Sequence, residues 1–195
     1  MTPVITALNK ITNNDIKEPL AKLSKKLGRI RFIHDLERLT VAVTGITLES
    51  AMLSFPVGSS DISLYIGIDD AIEDIKNEYF SSVVAEGIWG ASPLLFPLTT
   101  PNALAARASI IFDIRGESIT FAIKHSISSV LEYATCCITN GYTQMAIAGN
   151  ITKEQSQISN QQSPLYKAEF FFLEDIKSAK KRGARIYYNL SDSKL

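Results

Sequence analysis

The sequence predicts an α/β fold, and three observations carry that expectation. Ile62 to Ile68 (ISLYIGI) is an unbroken apolar run bounded by Asp61 and Asp69, as expected for a strand covered on both faces. From Phe32 onward, Ile33, Leu36, Leu39, Val43, Ile46 and Leu48 recur at helical spacing, with Asp35, Glu37 and Arg38 on the other side, which predicts an amphipathic helix. In the second half of the chain, short β-rich runs alternate with helical segments, the order that builds a sheet with helices packed on it.

Taken in order, Val4 to Leu8 predicts a first strand, followed by a turn-prone stretch from Asn9 to Asp15. Lys17 to Lys26 reads as a basic, exposed excursion without a clear apolar stripe. The helix after Phe32 and the strand Ile62 to Ile68 come next. Asp69 to Gly90 reads as an acidic helix and loop closing on Trp89, after which Pro93 and Pro97 hold SPLLFPLTTPN in an extended path. Pro101 and Asn102 open an Ala-rich helix, ALAARASIIF, ending near Arg115-Gly116, where the glycine is expected to supply a left-handed cap. Further elements are a strand from Ser118 to Ile123, a helix from Ser126 to Asn140 closed by Gly141, and a strand from Gln144 to Ala148 ending at Gly149. A polar loop from Thr152 to Ser163, a strand from Ala168 to Leu173, a helix from Glu174 to Arg182 and a strand from Arg185 to Leu190 complete the chain.

At 195 residues the chain fits one domain. Its 20 basic and 20 acidic residues cancel, so no long-range field favours nucleic acid or an anionic membrane. No apolar run reaches the roughly 20 residues that cross a bilayer, and the start lacks the pattern of a signal peptide, so the expectation is a cytoplasmic protein. An apolar content of 46% suggests that part of the surface is covered by a partner. The two cysteines, Cys136 and Cys137, are adjacent in a helical segment and point in different directions, a poor disulfide or metal pair; they are expected to be reduced and buried. No metal or cofactor is called for.

Three blocks in the second half carry a resemblance. PNALAARASIIFDIRGESITFAIKHS (101–126), NGYTQMAIAGN (140–150) and AEFFFLEDIKSAKKRGARIYYNL (168–190) together resemble the N-terminal half of the β-ketoacyl synthases, within the thiolase-like superfamily. In that family a Pro-Asn opens a small-residue helix and the active-site cysteine stands nine residues after a glycine; nine residues after Gly116 this chain has His125. The resemblance implies a mixed five-stranded sheet in order 3-2-1-4-5 with the last strand antiparallel and helices on both faces. It also implies a single ketosynthase N-terminal-like domain over 1–195, with the family's C-terminal half, which supplies two histidines and part of the oxyanion hole, absent. Where the family usually has Gly-Glu-Gly before Ala168, this chain has Leu165, Tyr166 and Lys167.

A cysteine at a helix N-terminus is activated because the helix dipole favours its thiolate. An imidazole at the same place is held neutral instead, which makes His125 a vestigial nucleophile position rather than a confident catalytic residue. His125 and the adjacent Ser126 are the candidate substrate-binding residues. Ser126, Ser128 and Ser129 have no acid partner fixed by spacing and read as helix caps, and His34 as a surface or cap residue. Lys177, Lys180, Lys181, Arg182 and Arg185 form a small basic patch, either a solvated face or a docking site for an acidic acyl carrier protein. Trp89, Phe96 and Phe170 to Phe172 are candidates for an acyl tunnel, a dimer contact or ordinary core.

The strand Glu117, Ser118, Ile119, Thr120, Phe121, Ala122 matches the one that pairs across the two-fold of ketosynthase dimers, and an open edge there is expected to be covered the same way. The functional expectation is a catalytically silent ketosynthase-like partner or scaffold subunit in fatty-acid or polyketide-type biosynthesis. It would resemble a chain-length factor or hold an acyl carrier protein, as a homodimer or paired with another ketosynthase-like chain. Two alternatives stand beside it: a half-enzyme completed in trans by a chain that supplies the missing histidines, and a structural homodimer without a ligand.

Overall fold

The computed structural model describes residues 1–122, 127–154 and 164–190. The elements in chain order are β1 (Pro3–Thr12), α1 (Lys17–Leu27), α2 (Asp35–Ser50), β2 (Ile62–Ile68), α3 (Glu73–Glu86), α4 (Ala103–Phe112), β3 (Ser118–Phe121), α5 (Ile127–Thr139), β4 (Met145–Glu154), β5 (Leu165–Asp175), α6 (Ile176–Lys181) and β6 (Tyr188–Asn189). The strands form one six-stranded sheet in the order β3-β2-β4-β5-β1-β6.

The α/β class and the mixed sheet agree with expectation, while the strand count and order do not. Six strands replace five, and β1 lies beyond the fifth strand instead of at the centre. β2, β3 and β4 are mutually parallel, and β5 runs antiparallel to both β4 and β1, so the antiparallel fifth strand is as expected. The order follows from burial: β5 is apolar on both faces, and a strand that is covered above and below must satisfy both edges of its backbone with strand partners. β4 takes one edge and β1 the other.

Helices cover both faces of the sheet. Ile62, Leu64, Ile66 and Ile68 of β2 and Phe170 and Phe172 of β5 pack with α1, α2 and α4, while Tyr65, Phe171 and Leu173 pack with Val130, Leu131, Ala134 and Ile138 of α5 on the opposite face. The alternation is the two-residue period of a strand read on two covered faces. Gly149 stands opposite Phe170 across the β4–β5 pair, and a Cβ there would fall inside the phenylalanine ring, so glycine is what lets that ring lie flat on β4.

Several elements differ from the sequence reading for local reasons. β1 runs on to Thr12, because Asn9 to Thr12 find partners in β5 although their outer faces are polar. Lys17 to Leu27 is a helix: Ile16, Leu20 and Leu23 recur on one side and are buried, a stripe the surrounding lysines obscure. α2 is a core helix, buried at Leu36, Leu39, Val41, Ala42, Val43 and Leu48, and Glu37 lies inside with them rather than on a solvent face. Its buried Thr40 and Thr44 donate to the carbonyls of Leu36 and Thr40 at 2.7 and 2.8 Å, which satisfies hydroxyls that cannot reach water. α4 is closed by Asp113 in the left-handed conformation (φ 54°), not by Gly116. β4 passes through Gly149 to Glu154, which takes Thr152 to Glu154 out of the expected loop; the remainder of that loop lies outside the described residues. The last strand shortens to Tyr188–Asn189, at the outer edge of β1.

One buried charge pair ties the far end of the sheet together. Glu174 is fully buried, accepts from Thr6 Oγ1 at 2.6 Å and from Arg182 Nε at 2.8 Å, and forms a second contact with Arg182 Nη2. Arg182 Nη1 donates to the carbonyl of Ala51 at the end of α2. Arg182 therefore belongs to the core framework and not to a free basic patch. Removing one member leaves a charge desolvated and unpaired, which costs about 3–5 kcal/mol. Arg182→Ala is accordingly expected to lower unfolding free energy by about that much, whereas the exposed Lys181→Ala should change it by less than about 0.5 kcal/mol; urea denaturation of the two variants checks the contrast.

Candidate functional site

In a sheet with parallel strands, ligand sites gather beyond the strands' C-terminal ends, where loops and helix N-termini converge. Here that edge is formed by Gly67 of β2, Phe121 at the end of β3 and Ala122 after it, and Asn150 of β4, with the start of α5 facing them. Gly67 and Asn150 are paired in register, and a Cβ at Gly67 would meet Asn150 Oδ1 at 2.6 Å and Val130 Cγ2 at 3.1 Å. The missing side chain is what gives the buried Asn150 carboxamide room above β2 and lets α5 approach. Sequence reasoning did not select Asn150 or Gly67. Their signal, a glycine near the end of β2 and an asparagine in the middle of β4, is legible only once the register is known.

His125 and Ser126 lie outside the described residues; Ala122 and Ile127 are the described residues that flank the segment joining β3 to α5. Nearby, Tyr133 of α5 stacks edge-on with Tyr65 of β2 and with Phe121, at centroid distances of 5.1 and 5.3 Å. Tyr65 donates its hydroxyl to Glu117 Oε2 at 2.9 Å. Burial pushes the Tyr65 phenol far above its ordinary range, so it is a fixed hydroxyl donor and not a base. These aromatics form the floor of the edge at which the resemblance places the nucleophile.

The expected interface strand is an edge strand. Ser118 to Phe121 pair in parallel with Leu64 to Gly67 and are half-buried. Leu64 N donates to Glu117 O at 2.8 Å, so main-chain groups of residues 117 and 119 turn toward β2 while those of Ser118 and Thr120 turn to the outer edge. Thr120 Oγ1 donates to Asn102 Oδ1 at 3.2 Å, which fixes the start of α4 beside this strand.

Other candidates distribute as follows. Ser128 and Ser129 are exposed in the first turn of α5. Cys137 is buried and Cys136 exposed, because consecutive helical residues diverge by about 100°, so the expectation of two buried thiols holds for one. Phe170, Phe171 and Phe172 are core, whereas Trp89 is 91% exposed and Phe96 is also exposed. Tyr166, where the family has its glycine-rich element, is buried and donates to Asp74 Oδ2 at 2.7 Å; Asp74 also accepts from Lys153 Nζ at 2.7 Å, so the position is a structural anchor. Among the described residues no cluster of His, Cys, Asp and Glu has the arrangement of a metal site, and no helix is long and apolar enough to cross a membrane.

His34 caps α2: its Nδ1 accepts from Leu36 N at 3.1 Å. Glu37, three residues into the helix, accepts from the Ile33 amide at 2.8 Å, a variant of the reciprocal capping box.

No family model and no curated protein matches the chain. Solved structures do. It superposes on an ishigamide ketosynthase/chain length factor with a TM-score of 0.72 and 17% identity, covering 95% of this chain and 61% of that one. A type II polyketide acyl-carrier protein in complex with its ketosynthase bound to the hexaketide gives 0.64 and 18%, covering 95% and 66%. A beta-ketoacyl synthase from Burkholderia phymatum STM815 gives 0.63 and 16%, covering 95% and 62%. The fold is thus the ketosynthase-like half of the thiolase architecture. The chain spans less than two thirds of the length of each of these neighbours.

Burial holds the His34 pKa below its ordinary value, against partial opposition from Glu78, Asp35, Asp74 and Glu37. The folded state therefore prefers neutral imidazole, which also keeps Nδ1 an acceptor for the cap. Stability from this group is fully present above the unfolded-state value of 6.5 and is lost as pH falls through the lower folded value. Asparagine caps helices equally well without titrating. Comparing urea denaturation at about pH 7.5 and about pH 5, His34→Asn should lose less stability on acidification than the parent chain.

Proposed function

We propose that this chain is a ketosynthase-like subunit with no condensing activity of its own, which works by pairing with a second ketosynthase-like chain and presenting a surface to an acyl carrier protein in polyketide or fatty-acid-type assembly. The observation that carries the reading is His125, an imidazole nine residues after Gly116, where the resemblance calls for the attacking thiol. A neutral imidazole at a helix start lacks the thiolate's capacity to hold an acyl group as a thioester between two half-reactions. The likeness of fold to a ketosynthase/chain length factor supports a role by pairing.

The pairing surface of this proposal is the outer edge of β3, Glu117 to Ala122, with α4 beside it. Such an edge presents unpaired main-chain groups unless a partner strand covers it. Exposed apolar residues support the need for partners: Phe80 and Val84 on α3, and Ile88 and Trp89 in the turn that follows it. His125 and Ser126 would line the remnant of the acyl site, and Lys177, Lys180, Lys181 and Arg185 would meet an acidic carrier, weakly and in a salt-dependent way.

Two measurements test the reading. The purified chain should give no β-ketoacyl product and no carbon dioxide from malonyl-loaded acyl carrier protein, and His125→Ala should change nothing; turnover that His125→Ala abolishes overturns the proposal. Light scattering should show a dimer, alone or with a ketosynthase, and Thr120→Pro, which removes an outer-edge amide and the bond to Asn102 while leaving the β2 ladder in place, should release monomer that keeps the parent's circular dichroism spectrum. A chain that is monomeric in both forms, with or without a ketosynthase, counts against pairing through β3.

A further inference from the structure

A cavity of about 770 Å³ opens on the face of the fold carrying α2 and α4, between the start of α2, the segment from Pro93 to Leu98 and one side of α4. It exists because of an unusual run of small residues. α4 turns Leu104, Ala105, Ala108 and Phe112 into the core, and the side it turns away carries Ala103, Ala106, Arg107 and Ile110. The two alanines fill little space, so Phe32, Ile33, Pro93, Leu94, Pro97 and Leu98 stand off from the helix and become the opposite walls. Ile110 is 73% exposed at the rim.

The volume lies in the range of small-molecule sites, and the composition has their pattern: apolar walls with a few convergent polar groups. Those groups are charged. Glu37 is buried and is consumed by the Ile33 amide and by Arg107, whose Nε stands 2.7 Å from Glu37 Oε1. Arg107 Nη2 donates in turn to the Arg31 carbonyl at 2.7 Å, which braces the loop that forms the mouth. With Glu37 paired to Arg107, Arg31, an exposed residue of the cavity lining, brings one further positive charge to it.

We infer that this cavity is a binding site for a free aliphatic carboxylate, its chain lying along Ala103, Ala106 and the Phe32–Pro97 walls and its head group at Arg31. An alkyl chain suits walls that offer it no hydrogen bonds, and a carboxylate suits a guanidinium fork. The cavity borders the proposed pairing surface through α4 and Asn102, but ligand binding there does not depend on the proposed subunit role.

The test is isothermal titration calorimetry of the purified chain with decanoate, decanol and decyltrimethylammonium. Decanoate should bind saturably at one site, about 10-fold or more tighter than decanol, and the ammonium compound should not bind measurably. Ala106→Phe, which fills the cavity from a partly exposed helix position, should weaken decanoate by about 10-fold or more. The surface change Arg31→Glu, which puts no fold at risk, should weaken decanoate while leaving decanol unchanged. The inference is overturned by an absence of saturable decanoate binding up to millimolar concentration, by decanol binding as tightly, or by an Ala106→Phe variant of unchanged melting temperature that binds decanoate as well as the parent. Should Ala106→Phe fail to fold, the Arg31→Glu comparison decides: equal weakening of decanoate and decanol sinks the inference.

Discussion

The two-sided burial of β5 is the constraint from which most of the architecture follows. Phe170 and Phe172 enter one core and Phe171 and Leu173 the other, so from Phe170 to Glu174 neither face of this strand is left for water. Every main-chain group along it then needs a strand partner, because a buried unpaired amide or carbonyl costs about 1–3 kcal/mol. β4 and β1 supply those partners in long registers, Gly149 makes room for the Phe170 ring, and the Glu174–Arg182 pair closes the end of the strand against α2. Only with β5 fixed in this way do β4 and β2 come into the register that sets Asn150 over Gly67.

From that frame the chemistry-bearing edge is assembled by position more than by reactive side chains. The parallel strands β3 and β2 stop beside Asn150 and Ile151 of β4, which runs on to Glu154; α5 begins opposite them, and an aromatic ladder of Phe121, Tyr133 and Tyr65 lies beneath. The described surroundings are apolar or fixed by hydrogen bonds, with the Tyr65 hydroxyl committed to Glu117.

Two different kinds of surface remain after the fold is accounted for. One is the β3 edge with its neighbouring helix, where main-chain groups and apolar side chains suit another protein. The other is the hollow against α4, concave and narrow-walled, with an arginine at its mouth. The first arises because a sheet must stop somewhere, the second because alanines stand where larger residues would have closed the packing. Their chemistry differs accordingly, strand pairing in one case and burial of a flexible chain in the other.

The sequence by itself determined the elements whose apolar pattern is strong. Ile62–Ile68 agrees residue for residue, and the core character of AEFFFL follows from composition alone. It also determined the family likeness of the second half, through the spacing of Gly116, the strand and the helix that follows. It misjudged α1, whose leucine stripe is diluted by lysines, and Glu37, whose burial depends on an arginine some seventy residues away. Only the tertiary structure decided that β1 pairs with β5, that Asn150 faces Gly67, and that Ala103 and Ala106 leave a cavity instead of meeting a wall. The physical reason is common to all of these: periodicity along a chain records which side of an element is apolar, while register, ion pairing and empty volume depend on what a distant segment places against it.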